Sequence, residues 1–248
     1  AYTEKPDISS FMEEWLNLMK SGTGERGIVN REGLKKQASK HGRRDSNHEF
    51  GVNPCGEVIL RPRQFCNLTE VVVRPEDTIE TLTVKVKHAT ILGILQSTLT
   101  KFNYLSDTWR KNVEEERLLG VSLTGLQDHL IYSKTALHTA FVLEMLRDKA
   151  LQTAEEWAEA LGINTPTAIT SVKPSGTVSQ LVDSSSGLHS RYAPYYIRRV
   201  RVSISDPLTK FLMAEGVPCN PEVGETWEDC TTVVFDFPIK SPNMDVNF

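Results

Sequence analysis

The sequence has few cysteines and no long hydrophobic run. Four cysteines in 248 residues are too few for a disulfide scaffold of this length, and no CxxC pair or histidine at zinc-finger spacing accompanies them. No apolar stretch approaches the roughly 20 residues that a membrane span needs. The opening AYTEKPDISSF lacks the apolar core of a signal peptide. We therefore expect no metal site, no membrane segment and a reducing, cytoplasmic setting.

The sequence also lacks a basic surplus and an initiator methionine. The net charge is −4, whereas a dedicated nucleic-acid binder usually carries excess positive charge. A hydrophobic content of 39% and a charged content of 24% are ordinary for a globular protein. We expect no direct nucleic-acid partner, and we expect the chain to be trimmed or part of a longer one.

Short apolar segments alternate with longer helical patterns along the chain. Such alternation predicts an α/β fold built on parallel strands, in which chemistry is expected at the carboxyl ends of the strands. Strands are predicted at residues 68–73, 117–122, 167–172, 195–202 and 231–237, and helices at residues 8–19, 31–42, 77–102, 125–132, 135–161 and 206–215. The charged run EEER at residues 114–117 is expected to be a solvated face.

The segment NPCGEVILRPRQFCNL, residues 53–68, places two of the four cysteines eleven positions apart. Pro54 and Gly56 flank Cys55, and such residues present a side chain at the tip of a tight loop. Alternate residues of an extended chain share a face. An amide, a thiol and a carboxylate, from Asn53, Cys55 and Glu57, are therefore expected to converge on one small volume.

Two interpretations of Cys55 follow from the residues themselves. In the simpler one, a small buried cysteine occupies an ordinary turn and Glu57 lies on the surface. A thiolate nucleophile would need a nearby cation or histidine, whereas a carboxylate would oppose thiolate formation. A thiol beside a carboxylate suits a different chemistry, in which the sulfur reacts as a neutral radical and the carboxylate moves a proton.

A second segment, KPSGTVSQ at residues 173–180, follows a predicted strand and leads into a predicted helix. The N–H groups at a helix start suit a phosphate, but the same residues also suit an ordinary capping turn. The spacing is not that of a Walker P-loop. Lys173 is open to either a functional role or a solvated position.

Several segments together resemble the ribonucleotide reductases, most closely the adenosylcobalamin-dependent (class II) enzymes. NPCGE followed by FCNL is similar to the active-site loop of that family. The further matches, in chain order around that loop, are SGTGERGIVNRE (residues 21–32), LLGVSLTGLQD (118–128), VKPSGTVSQL (172–181) and SGLHSRYAPYYIRRVR (186–201). The resemblance implies a ten-stranded α/β barrel with the active-site cysteine on a loop inside it, of which residues 1–248 would form the second half.

The resemblance also implies a role for each matched residue. Cys55 corresponds to the thiyl-radical cysteine and Glu57 to the general base. Asn53 corresponds to the amide that binds the ribose hydroxyls, and Cys66 to one of two reducing cysteines. The segment for the substrate di- or triphosphate corresponds to Pro174, Ser175, Gly176, Thr177, Val178 and Ser179. The implied cofactor is adenosylcobalamin, and the implied reaction is reduction of ribonucleotides to deoxyribonucleotides with a thioredoxin-type reductant.

Parts of the family pattern are missing from this chain. The second reducing cysteine lies upstream of the radical cysteine in the family, but Cys55 is the first cysteine here. The expected partner is therefore the complementary N-terminal half, without which the chain should be inactive. Cys219 and Cys230 are expected to be structural or surface thiols. Two alternatives stay open: a fragment of a class I large subunit, and a non-catalytic nucleotide-binding domain that kept the fold.

Overall fold

The computed structural model describes residues 5–23, 27–129 and 136–242 of the chain. The helices are α1 (Ile8–Ser21), α2 (Arg31–Ser39), α3 (Ile79–Ser97), α4 (Asp107–Glu116), α5 (Ala136–Leu161), α6 (Thr177–Leu181) and α7 (Pro207–Ala214). The strands are β1 (Gly51–Val52), β2 (Ile59–Leu60), β3 (Asn67–Val72), β4 (Leu119–Thr124), β5 (Tyr195–Ser203), β6 (Cys219–Pro221) and β7 (Thr232–Lys240).

The centre of the fold is a parallel pair formed by β3 and β4, in register from Asn67 opposite Leu119 to Val72 opposite Thr124. Residues 168–171 run along the other side of β4, where the Val121 N–H donates to the Ile169 carbonyl over 2.9 Å. This segment replaces the strand predicted at residues 167–172. The predicted parallel arrangement is thereby confirmed for three neighbouring segments.

The two faces of β4 differ in character because side chains alternate along a strand. Leu119 and Val121 belong to the buried core, which packs against helices α3 and α5. Gly120, Ser122 and Thr124 occupy the alternate positions. The face turned away from the helices is therefore lined by small and polar residues, and a substrate or an inserted loop can approach it closely.

Helix α4 was not predicted, and its last turn corrects part of the expectation for residues 114–117. Glu115 is exposed as expected, but Glu116 and Arg117 are only 4% and 9% exposed, so half of this charged run is buried. Glu116 instead forms an ion pair with Arg44, with 2.8 Å between Nη2 and Oε2. A carboxylate at this depth is tolerated because a guanidinium fills its acceptor positions.

The C-terminal strands form a separate antiparallel sheet in the order β5–β7–β6. β5 pairs with β7 from Tyr195 opposite Lys240 to Ser203 opposite Thr232. The sequence predicted β5 and β7 but neither β6 nor their antiparallel pairing.

Three further expectations concern residues 125–132, the barrel and membrane-spanning helices. The helix predicted at residues 125–132 is a single 3-10 turn, Leu126–Asp128, as far as residue 129, and residues 130–135 lie outside the described part. Among the described residues the strands form three small sheets, none of which closes on itself, so the ten-stranded half-barrel is not confirmed. Across the same residues, no helix has the length and apolar character to cross a membrane.

Candidate active site

Cys55 lies at the apex of a hairpin loop between β1 and β2. The Gly56 N–H donates to the Asn53 carbonyl over 2.9 Å, which closes a turn with Pro54 at its second position. Proline favours that position because its ring fixes φ, and Gly56 has a φ of 79°, in the region that favours glycine. The turn leaves Cys55 exposed, which corrects the interpretation that it is a small buried cysteine.

The Asn53 side chain stabilises the loop from within. Its Oδ1 accepts a hydrogen bond of 3.0 Å from the Val58 N–H, and the Asn53 N–H donates to the Val58 carbonyl over 3.2 Å. The Asn53 side chain also helps to lower the pKa of the neighbouring Glu57 carboxyl. The amide is thus already ordered beside the carboxylate.

Glu57 is a buried carboxylate paired with a lysine from the second predicted segment. Its side chain is 4% exposed, and Lys173 Nζ lies 2.9 Å from its Oε1. Burial raises the pKa of Glu57, but the hydrogen bond and charge of Lys173 and the hydrogen bond to Asn53 hold it below the ordinary value. Glu57 is therefore ionised at neutral pH and not a surface glutamate.

Cys66 lies just before β3, so it occupies the amino end of this strand rather than a carboxyl end. A Cβ added to Gly120 would clash with Leu68 Cδ2 and would lie 3.3 Å from Cys66 Sγ and 3.4 Å from the Ser171 Cβ. Gly120 thus leaves room for the Leu68 side chain and the Cys66 thiol on this face of β4. Ser171 in turn donates to the Glu57 carbonyl over 3.4 Å, which links Cys66 to the loop.

The Cys66 thiol is held in its neutral form. Burial raises its pKa to about 12, the negative charge of Glu57 adds to this effect, and Arg44 opposes it. All four cysteines are free, so Cys55 and Cys66 are not bonded to each other. Cys66 can therefore donate a hydrogen atom or be oxidised, but it is a poor thiolate nucleophile near neutrality.

The contrast between Cys55 and Cys66 predicts the order in which iodoacetamide modifies them. At pH 8, a thiol with a pKa of about 12 has a thiolate fraction of about 10⁻⁴, against about a quarter for a free cysteine of pKa about 8.5. We expect Cys66 to react about 10²-fold more slowly than such a thiol and well after Cys55, because the scarcity of its thiolate outweighs the higher nucleophilicity of that thiolate. Peptide mass spectrometry of time points resolves both sites.

The internal control is the pH dependence of the same reaction. Cys66 should react about tenfold faster for each unit of pH above 8, as long as the fold persists. Equal rates for Cys55 and Cys66 at pH 8 would contradict the buried position of the second thiol.

The predicted phosphate segment forms a tight turn at the start of the short helix α6. The Ser175 hydroxyl accepts from the Ser179 N–H over 3.1 Å, and the Ser179 hydroxyl donates to the Ser175 carbonyl over 2.8 Å. Both serines are buried, whereas Gly176, Thr177 and Val178 are exposed. The two serine hydroxyls therefore order the turn, and its exposed middle is the part that a ligand can reach.

A second loop supports this turn at the carboxyl end of β4. The Gly187 N–H donates to the Thr124 hydroxyl over 2.8 Å. Asp128 accepts from the Ser185 N–H over 2.7 Å and pairs with the buried Arg191 over 3.0 Å. The Ser184 N–H donates to the Ser179 carbonyl over 2.8 Å, so this loop joins the turn to the carboxyl end of β4.

A buried cluster of Arg44, Gln64 and Glu116 supports the other end of the hairpin. Arg44 donates to both oxygens of Glu116 over 2.8 Å and to the Ile59 carbonyl of β2 over 2.8 Å. Gln64 also donates to Glu116. Burial raises the pKa of Glu116, but the hydrogen bonds from Arg44 and Gln64 hold it below its ordinary value. The cluster fixes the base of the loop to α4.

The structure brings together most of the residues that the sequence singled out. Asn53, Glu57 and Cys55 converge, and Lys173 Nζ lies 3.7 Å from Cys55 Sγ. The two predicted segments therefore meet at this lysine, two residues before Ser175. The sequence left the role of Lys173 open and missed the Arg44 cluster, because both depend on partners far away in the chain.

Proteins of known activity resemble this chain over most of its length. Adenosylcobalamin-dependent ribonucleoside-triphosphate reductase of Levilactobacillus brevis is 30% identical over 254 residues, which cover 90% of this chain and 32% of that protein. The protein of the same name from Lactobacillus leichmannii is 29% identical over 261 residues, covering 90% and 33%. The chain thus spans about a third of the length of the curated relatives it matches. No family model matches it.

Solved structures give a consistent picture of the fold. A crystal structure of a B12-dependent (class II) ribonucleotide reductase superposes with a TM-score of 0.63 at 27% identity, covering 79% of this chain and 30% of that one. The alpha subunit of the class Id ribonucleotide reductase of Actinobacillus ureae superposes with a TM-score of 0.52 at 18% identity, a likeness of fold alone.

Proposed function

We propose that this chain, a homologue of about a third of the adenosylcobalamin-dependent (class II) ribonucleotide reductases, carries the radical cysteine and general base of such an enzyme. The observation that carries the proposal is the convergence of an exposed thiol and a buried, ionised carboxylate beside the predicted phosphate turn. The reaction would be the reduction of a ribonucleoside di- or triphosphate to its 2′-deoxy form.

Each of the four site residues would have a different role in that reaction. Cys55, as a thiyl radical, would take the 3′ hydrogen of the ribose, since sulfur–hydrogen and activated carbon–hydrogen bonds are close in strength. Glu57 would accept the 3′-hydroxyl proton, the 2′-hydroxyl would leave as water with a proton from a reducing cysteine thiol, and Asn53 would hold the ribose hydroxyls. Cys66 would supply reducing electrons as a neutral thiol and end in a disulfide with a second cysteine from outside this chain.

The phosphate would bind at the turn formed by Pro174, Ser175, Gly176, Thr177, Val178 and Ser179. The exposed backbone at Gly176 and Thr177 supports this proposal, because N–H groups at the start of a helix have no acceptor within it. Lys173 lies between this turn and the pair of Cys55 and Glu57. One nucleotide would therefore contact the turn with its phosphate and the pair with its ribose.

Adenosylcobalamin, when bound, would supply the radical that Cys55 carries. The sulfur fits such a cofactor because it is exposed at the apex of the loop. The cofactor would therefore approach this chain from the exposed side of that loop.

The complementary N-terminal half is the proposed partner, and residues 1–248 would form the second half of the ten-stranded barrel. The face of β4 that carries Gly120, Ser122 and Thr124 would line its interior. A thioredoxin-type protein would restore the oxidised cysteines. The four free thiols support a reducing compartment, for which we propose the cytoplasm.

The proposed cofactor is tested by reconstitution. The chain is assayed within its complete polypeptide, or with the separate chain that completes it, using ribonucleotides and a dithiol in dim light. We expect product only when adenosylcobalamin is added. A requirement for a second, metal-containing protein instead would favour a class I enzyme, and nucleotide binding without reduction under every condition would favour a non-catalytic domain.

A further inference from the structure

We propose that Lys173 is a positioning residue that keeps the buried Glu57 carboxylate ionised and oriented beside Cys55. The inference deepens the proposed function and rests on it for its catalytic meaning, since the family resemblance assigns this lysine no role. The dependence of Glu57 on the Lys173 ammonium group follows from the positions of the two side chains, whether or not the chain is a reductase.

Lys173 lies between the two groups that the chemistry requires. Its Nζ is 2.9 Å from Glu57 Oε1 and 3.7 Å from Cys55 Sγ. The Lys173 side chain is 25% exposed and the Glu57 side chain only 4% exposed, so the lysine covers the carboxylate. An ammonium group has three donors and can serve both neighbours at once.

A carboxylate as buried as Glu57 needs other groups to replace the water that would solvate its charge. Removing an ionised group from water is unfavourable unless a cation or several hydrogen-bond donors replace the solvent. The Asn53 amide helps to lower the pKa of Glu57 but carries no charge, and neither buried Glu57 oxygen has a regular hydrogen-bond partner among the described residues. Lys173 supplies the charge, and the pKa of Lys173 is correspondingly raised, first by its hydrogen bond to Glu57.

Other charged groups approach the same cleft from neighbouring elements. Arg44 is already committed to both oxygens of Glu116. The cleft beside Glu57 is also lined by His41, Arg43 and, from α5, Arg147, and the charge of Glu57 raises the pKa of the nearby Cys66 thiol. Lys173 is the cation that contacts the Glu57 carboxylate through a distance of hydrogen-bond length, and it should dominate the titration of that group.

The backbone of Lys173 is fixed by the loop that supports the phosphate turn. A Cβ on Gly187, which has a φ of 57°, would lie 3.0 Å from the Lys173 carbonyl oxygen. The two segments therefore pack backbone against backbone. This packing sets the direction from which the ammonium group reaches Glu57.

The test is a direct titration of Glu57 in the 248-residue chain by carbon NMR of labelled glutamate carboxylates, with the signal assigned by its absence in Glu57→Gln. In the unaltered chain we expect the Glu57 pKa below its ordinary value. In Lys173→Met we expect it to rise by about 1 unit or more, since loss of a neighbouring opposite charge has an effect of that size. Lys173→Arg should restore most of the lowering.

A matched control uses the other short lysine pair of the chain. Lys85 Nζ lies 2.6 Å from Asp77 Oδ2, so Lys85→Met should leave the titration of Glu57 unchanged. An unaltered Glu57 titration in Lys173→Met, or equal changes in Lys173→Met and Lys173→Arg, overturns the inference. If Lys173→Met does not fold, the thermal stabilities of Lys173→Arg and Glu57→Gln are compared instead. A charge role predicts that Lys173→Arg loses less thermal stability than Glu57→Gln does. The readouts need no turnover, so a failure of the proposed reductase activity is detected separately.

Discussion

Replacing Cys55 with serine is expected to reduce ribonucleotide reduction to the background of the assay while nucleotide binding persists. Serine has nearly the same shape, and the site is an exposed turn, so the free energy of unfolding should change by less than about 0.5 kcal/mol. A hydroxyl O–H bond is much stronger than a thiol S–H bond and cannot exchange a hydrogen atom reversibly with a ribose carbon. The measurement is deoxynucleotide formation in the reconstituted enzyme, with equilibrium nucleotide binding in parallel.

Cys219→Ser is the matched control, because Cys219 lies in β6 of the separate antiparallel sheet. It should retain the activity of the unaltered enzyme. A Cys55→Ser enzyme that turns over normally would remove the basis for the radical assignment. Loss of activity in both variants would instead indicate a general sensitivity to substitution.

The sequence predicted those helices and strands that are stabilised by contacts between residues close together in the chain. The helix starting at Arg31 was predicted from Asn30, whose side chain accepts from the Gly33 N–H over 3.0 Å as a cap. Strand β3 was predicted one residue away from its observed position, because Val71 and Val72 are β-branched and flanked by turn residues. In both cases the decisive contacts lie within a few residues of one another.

Helix α4 shows why other elements could not be predicted. Its inward face carries Asn112, Val113 and Glu116, so hydrophobic periodicity gives little signal. Glu116 is buried only because Arg44, 72 residues earlier, supplies its hydrogen bonds. A charged residue with a distant partner has the same local sequence pattern as one in solvent.

The candidate site also has a part that the sequence could predict and a part that depends on distant residues. The turn around Cys55 could be predicted from Pro54 and Gly56, and the roles of its residues came from the family resemblance. The contact between Lys173 and Glu57 could not, because 116 positions separate them and the lysine lies outside the matched catalytic residues. The position of Cys66 at an amino end also differs from the general expectation for α/β folds, since its role depends on the inserted hairpin rather than on the strand end.

Replacing Glu116 with glutamine should destabilise the chain by about 3–5 kcal/mol, the usual cost of leaving one member of a buried ion pair without its partner. The Arg44 and Glu116 side chains are 4% and 5% exposed, so water cannot solvate the remaining guanidinium without opening the structure. Urea unfolding followed by circular dichroism measures the change, as a lower midpoint at an unchanged slope.

The neighbouring glutamate provides the control for this effect. Glu115 pairs with Arg61 over 2.9 Å but is 59% exposed, so Glu115→Gln should cost no more than about 1 kcal/mol. An apolar pair, Arg44→Met with Glu116→Leu, should be more stable than either single variant, because no unpaired charge remains buried. Equal losses for Glu115→Gln and Glu116→Gln would mean that the buried pair does not hold the hairpin. Because Arg44 also donates to the Ile59 carbonyl of β2, the same variants should loosen the loop that presents Cys55 and accelerate the alkylation of Cys66.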